Sequence, residues 1–129
     1  MIQNEHRTSP DLARKLKIMA ETLHDKKALH ILVLDVSIYN SAFEGLLLAT
    51  AQSERHARSL ADHLLELVHS MNWNYLGMEG YQRGEWILLD LNDVLVHIFL
   101  EETRKFYNLE GFWSRGRMIN LDIPEKEHV

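Results

Sequence analysis

The chain of 129 residues has 14 lysines and arginines against 19 aspartates and glutamates, which gives a formal net charge of −5. This length suffices for one domain with its own core, and a composition of 46% hydrophobic and 26% charged residues argues against general disorder. The absence of cysteine excludes disulfides, thiolate catalysis and cysteine-based zinc or iron–sulfur sites, while the acidic balance disfavours direct nucleic-acid binding and favours a basic protein partner.

The first predicted element is a helix over residues 9–24. Ser9 can cap it, Pro10 suits the first helical position, and Asp11 meets the positive end of the helix dipole. Apolar residues at helical spacing predict one buried stripe, formed by Leu12, Leu16, Met19, Ala20 and Leu23. Two short apolar runs follow, "HILVLDV" and "LLLAT", and each is typical of a buried strand.

The second half of the chain predicts one long helix, three strands and a short helix. The long helix begins at Ser53, and "NYLGME" after it is a weaker strand signal. The runs "EWILLD" and "VLVHIF" predict two strands that Leu91-Asn92-Asp93 joins as a tight hairpin. A helix over residues 101–109 follows, and residues 114–129 are predicted to be a charged, flexible tail.

These elements predict an α/β fold: one domain over residues 1–113, in which helices flank a mixed sheet of about five strands. "LLLAT", the long helix and "NYLGME" are expected to form a right-handed parallel crossover, and the later strands antiparallel hairpins. No apolar run approaches the roughly 20 residues that span a bilayer, and "MIQNEHRTSP" lacks the apolar core of a signal peptide. We therefore expect a cytoplasmic protein without membrane contact.

The titratable residues give little support to catalysis. Asp93 and His97 share a strand face, but their backbones lie about 13 Å apart at ~3.3 Å per residue, so they form no direct acid–histidine pair. We interpret His97 as a hydrogen-bonded histidine of the sheet. His56 and His63 lie roughly 10.5 Å apart along a helix, too far for one shared metal ion. The sequence predicts no enzyme, no metal and no cofactor.

The turn from Ala51 to Arg55 leaves one alternative open. A strand-to-helix turn can present backbone N–H groups and Ser53 to an anion, although this one lacks the glycines that let a phosphate approach closely. A nucleotide-binding enzyme that uses this turn is therefore an alternative function.

The strand "EWILLD" raises the question of a binding surface. Trp86, Leu88 and Asp90 point to one face of the sheet, and Ile87 and Leu89 to the other. If helices cover one face only, the other presents large aromatic and apolar side chains with an acidic rim, which protein partners use as an anchor. If helices cover both faces, Trp86 belongs to the core.

The segment from His30 to Trp113 contains the motifs "LDVS", "RHARSLADHL", "WILLDLNDVLVHIF" and "FYNLEGFW". Through these motifs the segment resembles the iojap family, the ribosomal silencing factors (RsfS). The resemblance implies a nucleotidyltransferase-like fold without the catalytic glycine-serine and paired-aspartate motif, which this chain also lacks. Glycine is common in the family at the position of Asn92, and asparagine is among the few other residues that tolerate a positive φ there.

The resemblance implies binding to the large ribosomal subunit through its ribosomal protein fourteen, near the bridges to the small subunit. Bound there, the protein would block joining of the subunits and lower translation during starvation. The implied contact residues are Trp86, Leu88, Asp90, Leu91, Asp93, Val94, Met78 and Tyr107. Tyr107 has an alternative role, which is to pin the final helix to the sheet.

Two further expectations follow. A large-subunit assembly factor would use the same surface, so this function stays an alternative. An apolar sheet face can also be shielded by self-association, and we expect a homodimer when no ribosome is present.

Overall fold

A computed structural model describes residues 8–38, 42–107 and 117–118, which form three helices and six strands. In chain order they are α1 (Pro10–Asp25), β1 (Leu29–Asp35), β2 (Gly45–Ala51), α2 (Glu54–Ser70), β3 (Gly77–Glu79), β4 (Trp86–Asp90), β5 (Val94–Leu100), α3 (Glu101–Tyr107) and β6 (Arg117–Met118). The predicted helices and the five predicted strands are confirmed. Residues 108 and 109 of the predicted last helix lie outside the described residues, as does the predicted tail apart from β6.

The described strands form one mixed sheet in the order β3-β4-β5-β2-β1-β6. The central pair, β2 and β5, is parallel over seven residues, and the other neighbouring strands are antiparallel. The predicted hairpin between β4 and β5 is confirmed, with Leu89 opposite Val96 and Leu88 opposite His97. The predicted mixed sheet is therefore confirmed.

The predicted parallel crossover of "LLLAT", the long helix and "NYLGME" is confirmed in strand direction, because β2 and β3 run the same way in one sheet, but the two strands are not neighbours. The parallel partner of β2 is β5, whereas β3 lies at one edge of the sheet and pairs, among the described strands, with β4. The reason lies in strand length: β5 offers seven residues, six of them apolar, to a central position, whereas β3 has only three residues. The longer strand therefore buries more apolar area beside β2.

Serine caps fix where the two long helices begin. Ser9 Oγ accepts a hydrogen bond from the Leu12 N–H, and Ser53 Oγ accepts one from the His56 N–H. Each cap satisfies a backbone donor that the helix cannot satisfy itself. The apolar stripe of α1 that the sequence predicts is buried throughout.

Both long helices cover the same face of the sheet and form the main core with it. Ile87 and Leu89 of β4 and Val94, Val96 and Ile98 of β5 are fully buried there. Close approach of α1 depends on Gly45, where an added Cβ would lie 3.2 Å from side-chain carbons of Leu12 and Leu16. We call this side of the sheet the helix face.

The opposite side of the sheet carries a second, smaller core. Its buried members are Leu34, Val36, Leu46, Leu48 and Phe99. The short helix α3 closes one end of it, because the Arg104 guanidinium donates to the His30 carbonyl and to Thr50 Oγ1, both at 2.7 Å. The same guanidinium lies 5.5 Å from the centroid of the Phe99 ring. These contacts hold α3 against the ends of β2 and β5.

Candidate functional site

The candidate site lies on the side of the sheet opposite the helix face. Trp86 and Leu88 of β4 and Leu95 of β5 are half-buried there, while His97 and Phe99 between them are buried. We call these five residues the β4–β5 face. Trp86 and Leu95 pack on the second core. The sequence left open whether Trp86 lies on an uncovered sheet face or in the core. The structure shows an intermediate case, because the side chain packs on the second core and stays partly exposed.

A hydrogen bond fixes the chemistry at the centre of this face. The Trp86 Nε1–H donates to His97 Nδ1 at 2.9 Å. An indole nitrogen can only donate, so Nδ1 must be an acceptor and the imidazole proton lies on Nε2. Burial lowers the pKa of His97 to about 4, so the ring is neutral at neutral pH. The predicted role of His97 as a hydrogen-bonded sheet histidine is confirmed.

Aromatic rings surround this hydrogen bond. The ring centroids of Trp86 and His97 are 5.9 Å apart, and those of Trp86 and Phe99 are 6.1 Å apart in a tilted arrangement. His97 stacks on Phe99 with an interplanar angle of 24°. Rings at such distances and tilts attract each other beyond simple burial of area. The three side chains form one packed aromatic group on adjacent strands.

The hairpin turn next to this face is held by its own polar groups. Asn92 adopts a φ of 79°, as the sequence led us to expect for a position where glycine is common. Its N–H donates to Asp90 Oδ1 at 3.0 Å, and the Leu91 N–H donates to the Val94 carbonyl at 2.9 Å. The Asp90 carboxylate therefore has a structural contact while it remains half-buried at the surface.

Two residues predicted to contact a partner have no exposed side chain. Leu91 and Val94 are 0% exposed and belong to the core under the helices. The strand alternation explains Val94, because it lies on the same face as Val96 and Ile98. The same alternation explains Leu91, because it follows Leu89 by two residues and so points to the helix face. Their side chains stabilise the hairpin, and the predicted surface is smaller by these two residues.

The remaining predicted residues lie in three places. Met78 is half-buried and packs on the helix face, since it lies opposite Leu89 in the sheet register. It is therefore on the other side of the sheet from Trp86. The Tyr107 backbone ends α3, and its side chain lies outside the described residues. Among the predicted residues whose side chains the structure describes, Trp86, Leu88 and Asp90 come together on one side of the sheet.

Asp93 forms a contact that the sequence did not indicate. Its Oδ1 lies 2.7 Å from Lys15 Nζ of α1, and the same ammonium group lies 4.9 Å from the centroid of the Trp73 ring. A groove of about 320 Å³ borders this ion pair. Lys15 and Asp93 are 78 residues apart, so no local pattern could have paired them. Asp93 is thus partly neutralised at the edge of the candidate site.

The turn that the nucleotide-binding alternative would use is closed by hydrogen bonds within the chain. The Gln52 N–H donates to His56 Nδ1 at 2.9 Å, and His56 Nε2 lies 2.9 Å from the Lys26 carbonyl. The His56 N–H is taken by Ser53 Oγ. Two N–H groups that would have to face an anion therefore already have acceptors, which counts against this alternative.

The part of the chain that the structure describes offers neither a metal site nor a membrane-spanning helix. No group of three or more histidine, aspartate or glutamate side chains is placed to hold a metal ion there. None of the helices in that part is long and apolar enough to cross a membrane. Within these residues, the fold and the site define a small α/β domain whose candidate site is a half-buried aromatic sheet face.

Comparison with known proteins identifies the family. The sequence model described as "Ribosomal silencing factor during starvation" matches residues 8–129. A ribosomal silencing factor RsfS from Chromobacterium violaceum is 35% identical over 98 residues, which cover 76% of this chain and 80% of that protein. The RsfS of Bacillus subtilis is 32% identical over 108 residues, 84% of this chain and 92% of that one.

A solved structure shows the same fold. A crystal structure of a protein from Chromobacterium violaceum superposes with a TM-score of 0.75 at 32% sequence identity, and the match covers 91% of this chain and 95% of the other. The chain belongs to the ribosomal silencing factor family, RsfS. A ribosome-associated role in the regulation of translation follows from that membership.

Proposed function

We propose that this protein represses translation by binding the large ribosomal subunit and sterically blocking the joining of the small subunit. The proposed partner is the basic ribosomal protein fourteen of the large subunit, and the proposed contact surface is the β4–β5 face with the adjacent hairpin. Membership of the silencing-factor family supports the ribosomal role. The single structural observation that carries the choice of surface is the half-buried Trp86 beside Leu88, on the side of the sheet away from the two long helices.

The chemistry of this surface suits a basic protein partner. Trp86 and Leu88 supply large apolar area, and aromatic side chains with partial exposure are enriched among residues that dominate binding energy. Acidic side chains lie nearby: Glu79 opposite Leu88 in the register, and Asp90 opposite Leu95. Glu44 is exposed, and its backbone is hydrogen-bonded to Asp93. Complementary charge would speed association and orient the complex.

The proposed mechanism requires no catalytic group. A standard protein–protein interface buries about 1,600 Å² in total, roughly 800 Å² from each partner. A bound body of 15.1 kDa then excludes the small subunit as long as it stays in place. The regulator is therefore proposed to be non-enzymatic and to act in the cytoplasm, where free ribosomal subunits are found. The free protein is proposed to shield the same face by forming a homodimer.

Asp90→Asn tests the proposed charge complementarity. Asparagine keeps an Oδ1 acceptor for the Asn92 N–H, so the turn should keep its shape while one negative charge is lost. We expect association with purified large subunits to slow by about twofold to fivefold at low salt, with the difference shrinking as salt is raised. The assay is the time course of binding, followed by surface-based or fluorescence detection.

Glu66→Gln is the matched control, because Glu66 is exposed on α2, beyond the helix face. It removes the same charge at a site where no partner is proposed. Equal slowing by both variants would show that the association rate depends on the net charge of the protein and not on a charge at this surface. Unchanged association of Asp90→Asn would remove Asp90 from the interface. Accumulation of the wild-type protein on precursor particles alone would favour the assembly alternative over silencing.

A further inference from the structure

His97 is a polar side chain at a buried position among apolar residues. In the sheet register it lies between Leu88 of β4 and Leu48 of β2, and it stacks on Phe99. Its side chain is buried, with a relative exposure of 7% for the residue. Burying a polar ring among apolar neighbours is unfavourable unless the ring makes a compensating hydrogen bond. Among the described residues, that bond is the one Nδ1 accepts from Trp86, whereas the buried Nε2 has no partner there.

This hydrogen bond constrains both partners. Nδ1 can accept it only in the neutral tautomer with the proton on Nε2. The apolar surroundings lower the pKa of His97 and so favour the neutral ring, which is the form that the hydrogen bond at Nδ1 requires. Trp86 lies diagonally across the hairpin from His97, because the register sets Trp86 opposite Phe99. The Trp86 indole is thus held at its N–H by His97 and at its ring by Phe99.

An aromatic anchor that is already fixed binds more tightly than a mobile one. Ordering a side chain on binding costs about 0.5–1.5 kcal/mol, and a fixed side chain has lost that freedom before the partner arrives. We propose that His97 is a positioning residue for partner binding, which holds the Trp86 indole in its binding orientation through the hydrogen bond at Nδ1. The proposal rests on the proposed function for its binding part, whereas the geometry can be tested on the free protein.

The first test is nuclear magnetic resonance of the free wild-type protein near neutral pH. Long-range proton–nitrogen correlations of the His97 ring should show the proton on Nε2. The indole N–H signal of Trp86, assigned by its absence in Trp86→Phe, should be shifted downfield and exchange slowly with water. A proton on Nδ1 would overturn the proposal, and so would an indole N–H that exchanges as fast as an exposed one.

Two variants of nearly equal size separate the hydrogen bond from simple packing. His97→Asn places an amide oxygen close to the position of Nδ1, so it can still accept from Trp86, whereas His97→Leu has a similar shape without an acceptor. The shifted indole signal should persist in His97→Asn and be lost in His97→Leu. Thermal unfolding of both variants checks that each is folded at the temperature of the binding assay.

Binding to purified large subunits should follow the indole signal. We expect His97→Leu to bind about threefold to tenfold more weakly than the wild type, and His97→Asn to bind within about twofold of it. In a Trp86→Phe background, which lacks the indole N–H, His97→Leu should cause no further loss. Equal weakening by both histidine variants, or further loss in the Trp86→Phe background, would overturn the positioning role. Failure of the wild type to bind at all would contradict the proposed function, and the magnetic resonance result would still decide the geometry.

Discussion

Lowering the pH from about 7.5 to about 5 should destabilise the fold through His97 alone by roughly 2 kcal/mol. The pKa of this imidazole falls from an ordinary value of 6.5 to about 4 in the folded protein, because burial disfavours the charged ring. Above the higher value the ring is neutral in both states, and it makes no pH-dependent contribution. Between the two values the unfolded chain binds a proton that the folded chain does not, so stability falls as the pH falls.

The magnitude follows from the separation of the two pKa values. Each pH unit between them corresponds to about 1.36 kcal/mol, which sets the full effect near 3 kcal/mol, and about two thirds of it is reached by roughly pH 5. Below about pH 4 both states are protonated and the contribution levels off. Urea-induced unfolding, followed by circular dichroism at several pH values, measures the free energy of unfolding directly.

His97→Leu is the control, because it keeps every other titrating group, including the seven remaining histidines of the eight in the chain. The difference between wild type and variant isolates the contribution of one imidazole. We expect the wild type to lose about 2 kcal/mol more than His97→Leu over this pH range. Parallel pH profiles for the two proteins would refute the argument that His97 is buried, neutral and hydrogen-bonded to Trp86.

Two further predictions separate the roles of neighbouring residues in the hairpin. Leu91→Ala should lower the free energy of unfolding by about 2–5 kcal/mol because Leu91 is fully buried, whereas Leu88→Ala, at a half-buried position, should cost less than half as much and weaken large-subunit binding at least about tenfold. Urea unfolding measures the stability of each variant, and a binding titration measures its affinity for the large subunit. A Leu91→Ala protein of wild-type stability would contradict the burial argument. Asn92→Ala should destabilise the protein by about 1–2 kcal/mol because of the φ of 79°, whereas Asn92→Gly should stay within about 0.5 kcal/mol of the wild type. Equal stability of the two Asn92 variants in urea would show that the turn is not strained.

The sequence predicted well those features that depend on near neighbours in the chain. Ser9 and Ser53 mark the two long helices because a serine cap acts within three residues of the helix start. Positive φ at Asn92 was implied by the resemblance, because glycine is common at that position in the family and asparagine is among the few other residues that tolerate this conformation. The alternation of β4 separated Trp86 and Leu88 from Ile87 and Leu89 correctly, because side chains of a strand alternate between its two faces.

Most of the features that the sequence did not predict depend on contacts between distant elements. The choice of β5 and not β3 as the neighbour of β2 depends on competition among strands, which no single strand reveals. Leu91 and Val94 are an exception: they were expected at the surface, although strand alternation places them on the helix face with Leu89 and Val96. The bond between Trp86 and His97 could have been suspected from the hairpin register, which brings diagonal residues within reach of a long side chain.

The most direct test of the central claim is sucrose-gradient sedimentation of purified ribosomal subunits with and without this protein. Small and large subunits are mixed under conditions that favour joining, and every fraction is probed for the protein. We expect the protein to travel with the large subunit and the joined-ribosome peak to fall as the protein concentration rises. A protein that stays at the top of the gradient while the joined-ribosome peak is unchanged would contradict the proposed silencing function.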